Sequence, residues 1–140
     1  MFFAPFLLKQ WTGVRSMKTD DILNLDCAKQ ENKNKLNSFL CKVKPVAKLM
    51  EKNNITKGEV IPIEILEKAL NGICSHYGYR TQGICSYFED DTFKFYKVSV
   101  LDKARQWKGN AYGLTLWEAE AKTIIKIYAL IKKGEQEHEQ

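Results

Sequence analysis

The stretch from Gly109 to Gly134, GNAYGLTLWEAEAKTIIKIYALIKKG, constrains the fold more than any other part of the chain. Thr115 followed three residues later by Glu118 is a capping box, in which hydroxyl and carboxylate satisfy backbone N–H groups that the first helical turn leaves unpaired. Trp117, Ala121, Ile124, Ile125, Tyr128 and Ile131 then recur at helical spacing, with Glu118, Lys122, Lys126 and Lys133 assigned to the opposite, solvent side. Lys132 and Lys133 suit the negative end of the helix dipole, and Gly134 is expected to close the helix in a left-handed conformation. An amphipathic helix of this length must be covered by a second layer.

The residues before it supply that layer. Pro62 stands where a helix begins, since its missing N–H costs nothing there, and Leu66, Leu70, Ile73, Cys74 and Tyr77 form an inner face that Gly78 ends. Gly72 inside this helix predicts a close packing contact. From Gly83 the pattern changes to alternation. Glu89-Asp90-Asp91-Thr92 reads as a polar turn, and FKFYKVSVL follows it as a strand. Phe93 and Phe95 fall on one phase, and Tyr96, Val98 and Val100 on the other. A bulge near Phe95-Tyr96 would reconcile them. A third strand is expected from Arg105 to Tyr112. The order is helix, three antiparallel strands, helix: an α+β domain of two layers, packed by helices Pro62–Tyr77 and Leu116–Lys133.

Upstream, Thr19 or Asp20 can cap a first helix. Leu36, Phe39, Leu40 and Val43 make an apolar stripe, Pro45 breaks it, and Val46, Leu49 and Met50 continue it. The expected divisions are a flexible extension at 1–16 (or an upstream reading-frame start), a peripheral, basic helical segment at 17–58, the α+β core at 59–134 and a disordered tail at 135–140. Hydrophobic residues at 44% and charged residues at 28% make a packed core the default. The apolar start MFFAPFLLKQW lacks a basic residue before its apolar run, is broken by Pro5 and is too short to span a membrane.

The charge divides unevenly. Residues 1–60 carry eleven Lys and Arg against six acids, residues 61–140 eleven of each, so the net charge of +5 belongs to the first part. A basic arm favours acidic partners, nucleic acid included, although lysine is also the ordinary solvating residue of a surface helix. Cys27, Cys41, Cys74 and Cys85 form no C-x-x-C pair, and three lie in apolar patterns, which suits reduced thiols in a cytoplasm.

No catalytic set emerges. His76 is the only histidine outside the tail, and no nucleophile elbow or cysteine signature accompanies it. Cys74, His76 and Cys85 are the nearest approach to a zinc set, but Cys74 belongs to a helix's inner face. Gly109-x-x-x-Gly113 lacks the Lys-Ser/Thr of a phosphate loop. The expectation is a non-enzymatic chain with no cofactor and no metal.

Tyr79, Arg80, Arg105, Trp107, Lys108 and Tyr112 are the candidate binding residues. Alternation brings Arg105, Trp107 and Tyr112 towards Tyr79 and Arg80, and Tyr, Trp and Arg are the types that dominate interface hot spots and stack on bases. The bland alternative is that Trp107 and Tyr112 pack the sheet.

The α-β-β-β-α order over Pro62–Lys133 resembles that of double-stranded RNA-binding domains, with Thr115–Lys122 where that family begins its second helix. Leu116 and Trp117 stand where the family carries phosphate-gripping basic residues, so no binding residue transfers. The order is also similar to small phage α/β/α sandwich proteins. MKTDDILNLDCAKQENK, YGYRTQGI and RQWKGNAYGLTLWEAEAKTIIKIY resemble short uncharacterised proteins of phages and plasmids from gut bacteria. That resemblance implies a mobile-element accessory protein acting on a protein partner. Nucleic acid is the runner-up partner, and a second copy of the chain is a third.

Overall fold

The structure, a computed structural model, describes residues 18–139; the expected extension at 1–16 lies outside them. Among the described residues five helices and three strands follow in order: α1 (Thr19–Leu23), α2 (Gln30–Leu40), α3 (Lys44–Lys52), α4 (Ile63–Tyr77), β1 (Arg80–Glu89), β2 (Thr92–Leu101), β3 (Trp107–Gly113) and α5 (Leu116–Glu139). The strands form one antiparallel sheet in the order β1-β2-β3. The α+β class and the helix–three strands–helix order agree with the sequence reading.

Each junction has a local cause. Gly78 ends α4 with φ 72°, the left-handed cap. Asp90 and Asp91 both have positive φ, 51° and 62°, as a two-residue hairpin turn of the primed type requires, and aspartate tolerates that region better than most residues. Asp102 builds the second turn: its Oδ1 accepts the N–H groups of Ala104 (2.8 Å) and Gln106 (2.9 Å). That turn holds Arg105 at φ 63°, so β3 begins at Trp107 rather than at Arg105. Gly113 is required by close approach. A Cβ there would lie 2.6 Å from the backbone nitrogen of Ala119.

The bulge in β2 falls at Lys94, not at Phe95-Tyr96: Tyr87 pairs with Phe95 and Phe88 with Phe93, leaving Lys94 unmatched. The extra residue moves Phe93 to the face of Tyr96 (ring centroids 4.8 Å apart) and leaves Phe95 on the other, against Tyr87 and Tyr112.

Three expectations about the helices need correction. The segment 17–58 is not peripheral: Ile22, Leu36, Leu40, Val46 and Met50 are buried in the same core as Leu66, Val98, Val100 and Ile124. Its helices lie over the face of α5 that was assigned to solvent, so eight consecutive residues, Glu118 to Ile125, are buried. Nor does Gly134 close α5. The helix continues to Glu139, beyond the expected start of the disordered tail at 135, and Glu135 secures it by accepting the Tyr77 hydroxyl (3.2 Å) and pairing with Lys132 (3.5 Å). Nothing lies within 4 Å of a Cβ placed on Gly72, so that residue marks no close contact.

The capping box forms with a shift. The Glu118 N–H donates to Thr115 Oγ1 (3.1 Å), while the Glu118 carboxylate accepts the N–H of Leu114 (3.3 Å), one residue further back than a standard box. Leu116 and Trp117, the departures from the RNA-binding pattern, serve the core. The Trp117 indole N–H donates to the carbonyl of Ile61 at 2.7 Å, and the Ile61 N–H donates to Asn37 Oδ1 at 2.9 Å. One buried residue thus ties α5 to α2. Trp117→Phe should cost about 1–2 kcal/mol by orphaning that carbonyl, read as a lower urea midpoint with an unchanged m-value.

Candidate functional site

Helices α4 and α5 cover one face of the sheet. Register and alternation place Cys85 and Tyr87 of β1, Phe95, Lys97 and Ser99 of β2, and Asn110 and Tyr112 of β3 on the other. A further bulge, at Lys108, turns Trp107 to this outer face. Tyr87 stacks on Phe95 with centroids 4.8 Å apart, and Phe95 meets Tyr112 edge-on at 5.1 Å. The Lys97 ammonium lies 5.1 Å from the Trp107 ring centroid and 5.7 Å from that of Tyr112, a cation held between two π faces. Tyr87, Tyr112 and Trp107 remain 40%, 48% and 55% exposed. These rings form a contiguous aromatic surface.

The six expected binding residues are only partly brought together. Trp107 and Tyr112 meet at Lys97, a residue the sequence reading did not select; the signal was its place at the centre of an alternating aromatic strand. Arg80 pairs with Leu101, which in turn pairs with Trp107, so β2 separates Arg80 from β3. Tyr79 belongs to a different cluster: half-buried against the core, stacked on Tyr77 at 6.0 Å, with the Lys108 ammonium 5.9 Å from its ring. Lys108 also approaches Asp102 (3.9 Å). Arg105 is exposed in the turn. The expected direct pairing of Arg105, Trp107 and Tyr112 with Tyr79 and Arg80 does not occur, because the central strand intervenes.

A groove of about 370 Å³ in the helical layer is lined by Lys44, Lys48, His76, Tyr77, Tyr128 and Lys132, among others. Lys44 and Lys48 of the N-terminal segment therefore lie across the sheet from the aromatic face, beside Lys132 and its partner Glu135. Cationic groove and stacking platform are separate surfaces.

A smaller cleft, about 200 Å³, opens between α4, α5 and the inner face of the β1–β2 hairpin. Glu67, Leu70 and Asn71 of α4, Thr81 and Ile84 of β1, Val98 of β2 and Glu120 of α5 line it. Glu120 is only 4% exposed and its Oε2 has no hydrogen-bond partner. Burial first, and then the charge of Glu67, push its carboxyl up to about 7. The sequence reading passed over Glu120. In WEAEAK a carboxylate flanked by alanines looks solvated unless another layer is known to cover the helix.

The cysteine thiols are free. Cys27 is pushed up to about 11, by burial and then by the charge of Glu118, and burial also raises Cys41 and Cys74. Protonated thiols of this kind are poor nucleophiles and poor metal ligands. Among the described residues no three His, Cys, Asp or Glu side chains converge on a common point, and no helix is long and apolar enough to cross a membrane. No protein-family model, curated protein or solved structure matches this chain.

Proposed function

We propose that the chain is a non-enzymatic binding module, a cytoplasmic accessory protein of a phage or plasmid, and that it engages a protein partner through the outer face of its sheet. The observation that carries this reading is the contiguous surface of Tyr87, Phe95, Tyr112 and Trp107 around Lys97. Rigid aromatic side chains lose little entropy on binding, and clusters of Tyr and Trp concentrate interface energy. Separation of the basic groove from this face favours protein over nucleic acid, because single-strand binding combines stacking rings with backbone-tracking cations in one channel.

Affinity capture from the native host with the wild-type chain and with Trp107→Ala/Tyr112→Ala tests the proposal. Both residues are exposed, so the double variant should stay folded by circular dichroism while losing a partner that the wild type retains. An unchanged set of captured proteins would refute it. Two further results would redirect it: a shift to a dimer by light scattering that the variant abolishes makes the partner a second copy, and anisotropy of a labelled single-stranded oligonucleotide that collapses with salt makes it nucleic acid.

A further inference from the structure

The Glu120 cleft is a feature that the aromatic face does not explain. A buried carboxylate with a free oxygen is expensive, and such a group in a native protein calls for an explanation, of which a bound ligand or ion is one. Glu120 Oε2 is the one buried side-chain oxygen or nitrogen among the described residues with no hydrogen-bond partner. A second carboxylate, Glu67, stands at the same cleft close enough to raise the pKa of Glu120. No described positive side chain lines the cavity. Two carboxylates therefore share this cleft with no cationic side chain lining it among the described residues.

The remaining lining decides which cation. Asn71 and Thr81 offer neutral oxygens, but Leu70, Ile84 and Val98 are apolar walls. A calcium ion takes six to eight oxygen ligands and magnesium holds a shell of waters, and neither gains from hydrocarbon. An ammonium group has three N–H donors, enough for both carboxylates and one neutral oxygen, and an attached alkyl chain would lie along the three aliphatic side chains.

We propose that this cleft binds a primary alkylammonium group, its nitrogen held by Glu120 and Glu67 and its methylenes packed on Leu70, Ile84 and Val98. The same chemistry is presented by a free aliphatic amine and by the lysine side chain of a peptide. Glu67 on α4 and Glu120 on α5 are the titratable groups of the cleft, with none contributed by β1 or β2. Protons compete with the ammonium for Glu120, so affinity rises with pH through the neutral range.

Amide chemical shifts of the full chain, titrated with n-butylammonium chloride, N-acetyl-lysine methylamide, n-butanol and calcium chloride at pH 8 and at pH 5.5, test the site. Saturable shifts at Asn71, Thr81 and Ile84 are expected with one or both ammonium compounds at pH 8. The stronger of the two identifies the source as free amine or peptide lysine. Binding should weaken at least fivefold at pH 5.5 and at least tenfold in Glu120→Gln and in Glu67→Gln, while Glu31→Gln, an exposed residue of α2 that does not line the cleft, leaves it unchanged. The proposal is overturned by equal shifts with n-butanol, by calcium acting where neither ammonium compound does, by no shift at all, or by full binding in a folded Glu120→Gln. Because the aromatic surface lies on the opposite face of the sheet, Trp107→Ala/Tyr112→Ala should still bind the ammonium compounds.

Discussion

Lys122→Met should cost the fold about 3–5 kcal/mol, while the double variant Glu118→Gln/Lys122→Met recovers at least half of that loss. Both side chains are almost fully removed from water, at 8% and 9% exposure, with the Lys122 ammonium 2.7 Å from Glu118 Oε2 and 2.8 Å from the carbonyl of Leu25. Taking the ammonium away leaves a carboxylate in a low-dielectric site with only the Leu114 N–H to answer it, and orphans a carbonyl as well. Neutralising the partner removes the charge penalty, so the double change costs mainly the lost hydrogen bonds. Urea unfolding of the four members of the cycle gives the coupling directly. A loss below about 1 kcal/mol for Lys122→Met would mean that the pair is solvated and behaves like a surface bridge. Through the Leu25 carbonyl Lys122 also joins α5 to the chain leaving α1, so hydrogen exchange in Thr19–Leu25 should quicken in the single variant before the core opens.

This pair marks where the sequence stopped being legible. Apolar spacing from Trp117 to Ile131 identified the helix, and alternation from Phe95 to Val100 identified the central strand, because both patterns are local. Gly78, the Thr115–Glu118 box and the two aspartates of the hairpin were equally readable, since a turn answers to a few neighbours, whereas Gly134 does not close α5 and Lys18, not Thr19 or Asp20, caps α1. Whether the other face of α5 meets water depends on where Ile22, Leu36 and Leu40 go, and that is a long-range fact. Glu118 and Lys122, four residues apart, have the spacing of an ordinary solvated pair, and nothing local marks them as buried. Partition of the aromatic residues was hidden for a related reason. One unmatched residue at Lys94 and another at Lys108 decide which rings share a face, and a bulge leaves no compositional signature of its own. Trp107 and Tyr112 stand among the candidate binding residues, with packing of the sheet as their alternative reading, but Lys97 between them does not.

Glu120→Gln should make the protein more stable at pH 8 by about 2 kcal/mol and leave it nearly unchanged at pH 5. The folded-state carboxyl, raised from 4.5 to about 7, keeps its proton over an interval in which the unfolded chain has already released it. Stability therefore falls as pH rises from about 4.5 to 7 and stays reduced above, by up to about 3 kcal/mol on the usual conversion of a pKa difference into free energy. Glutamine cannot ionise, so the variant loses this dependence, less the smaller cost of burying an amide in its place. Melting both proteins from pH 5 to pH 8 should show curves that coincide at the acid end and diverge as Glu120 ionises. A difference that is flat with pH, or that favours the wild type at pH 8, would show that the carboxylate is already satisfied when charged. A wild-type residue whose removal stabilises the fold is one that stability alone does not account for. Here the stability gain and the predicted loss of alkylammonium binding would appear in one variant with opposite signs, which a merely structural glutamate would not produce.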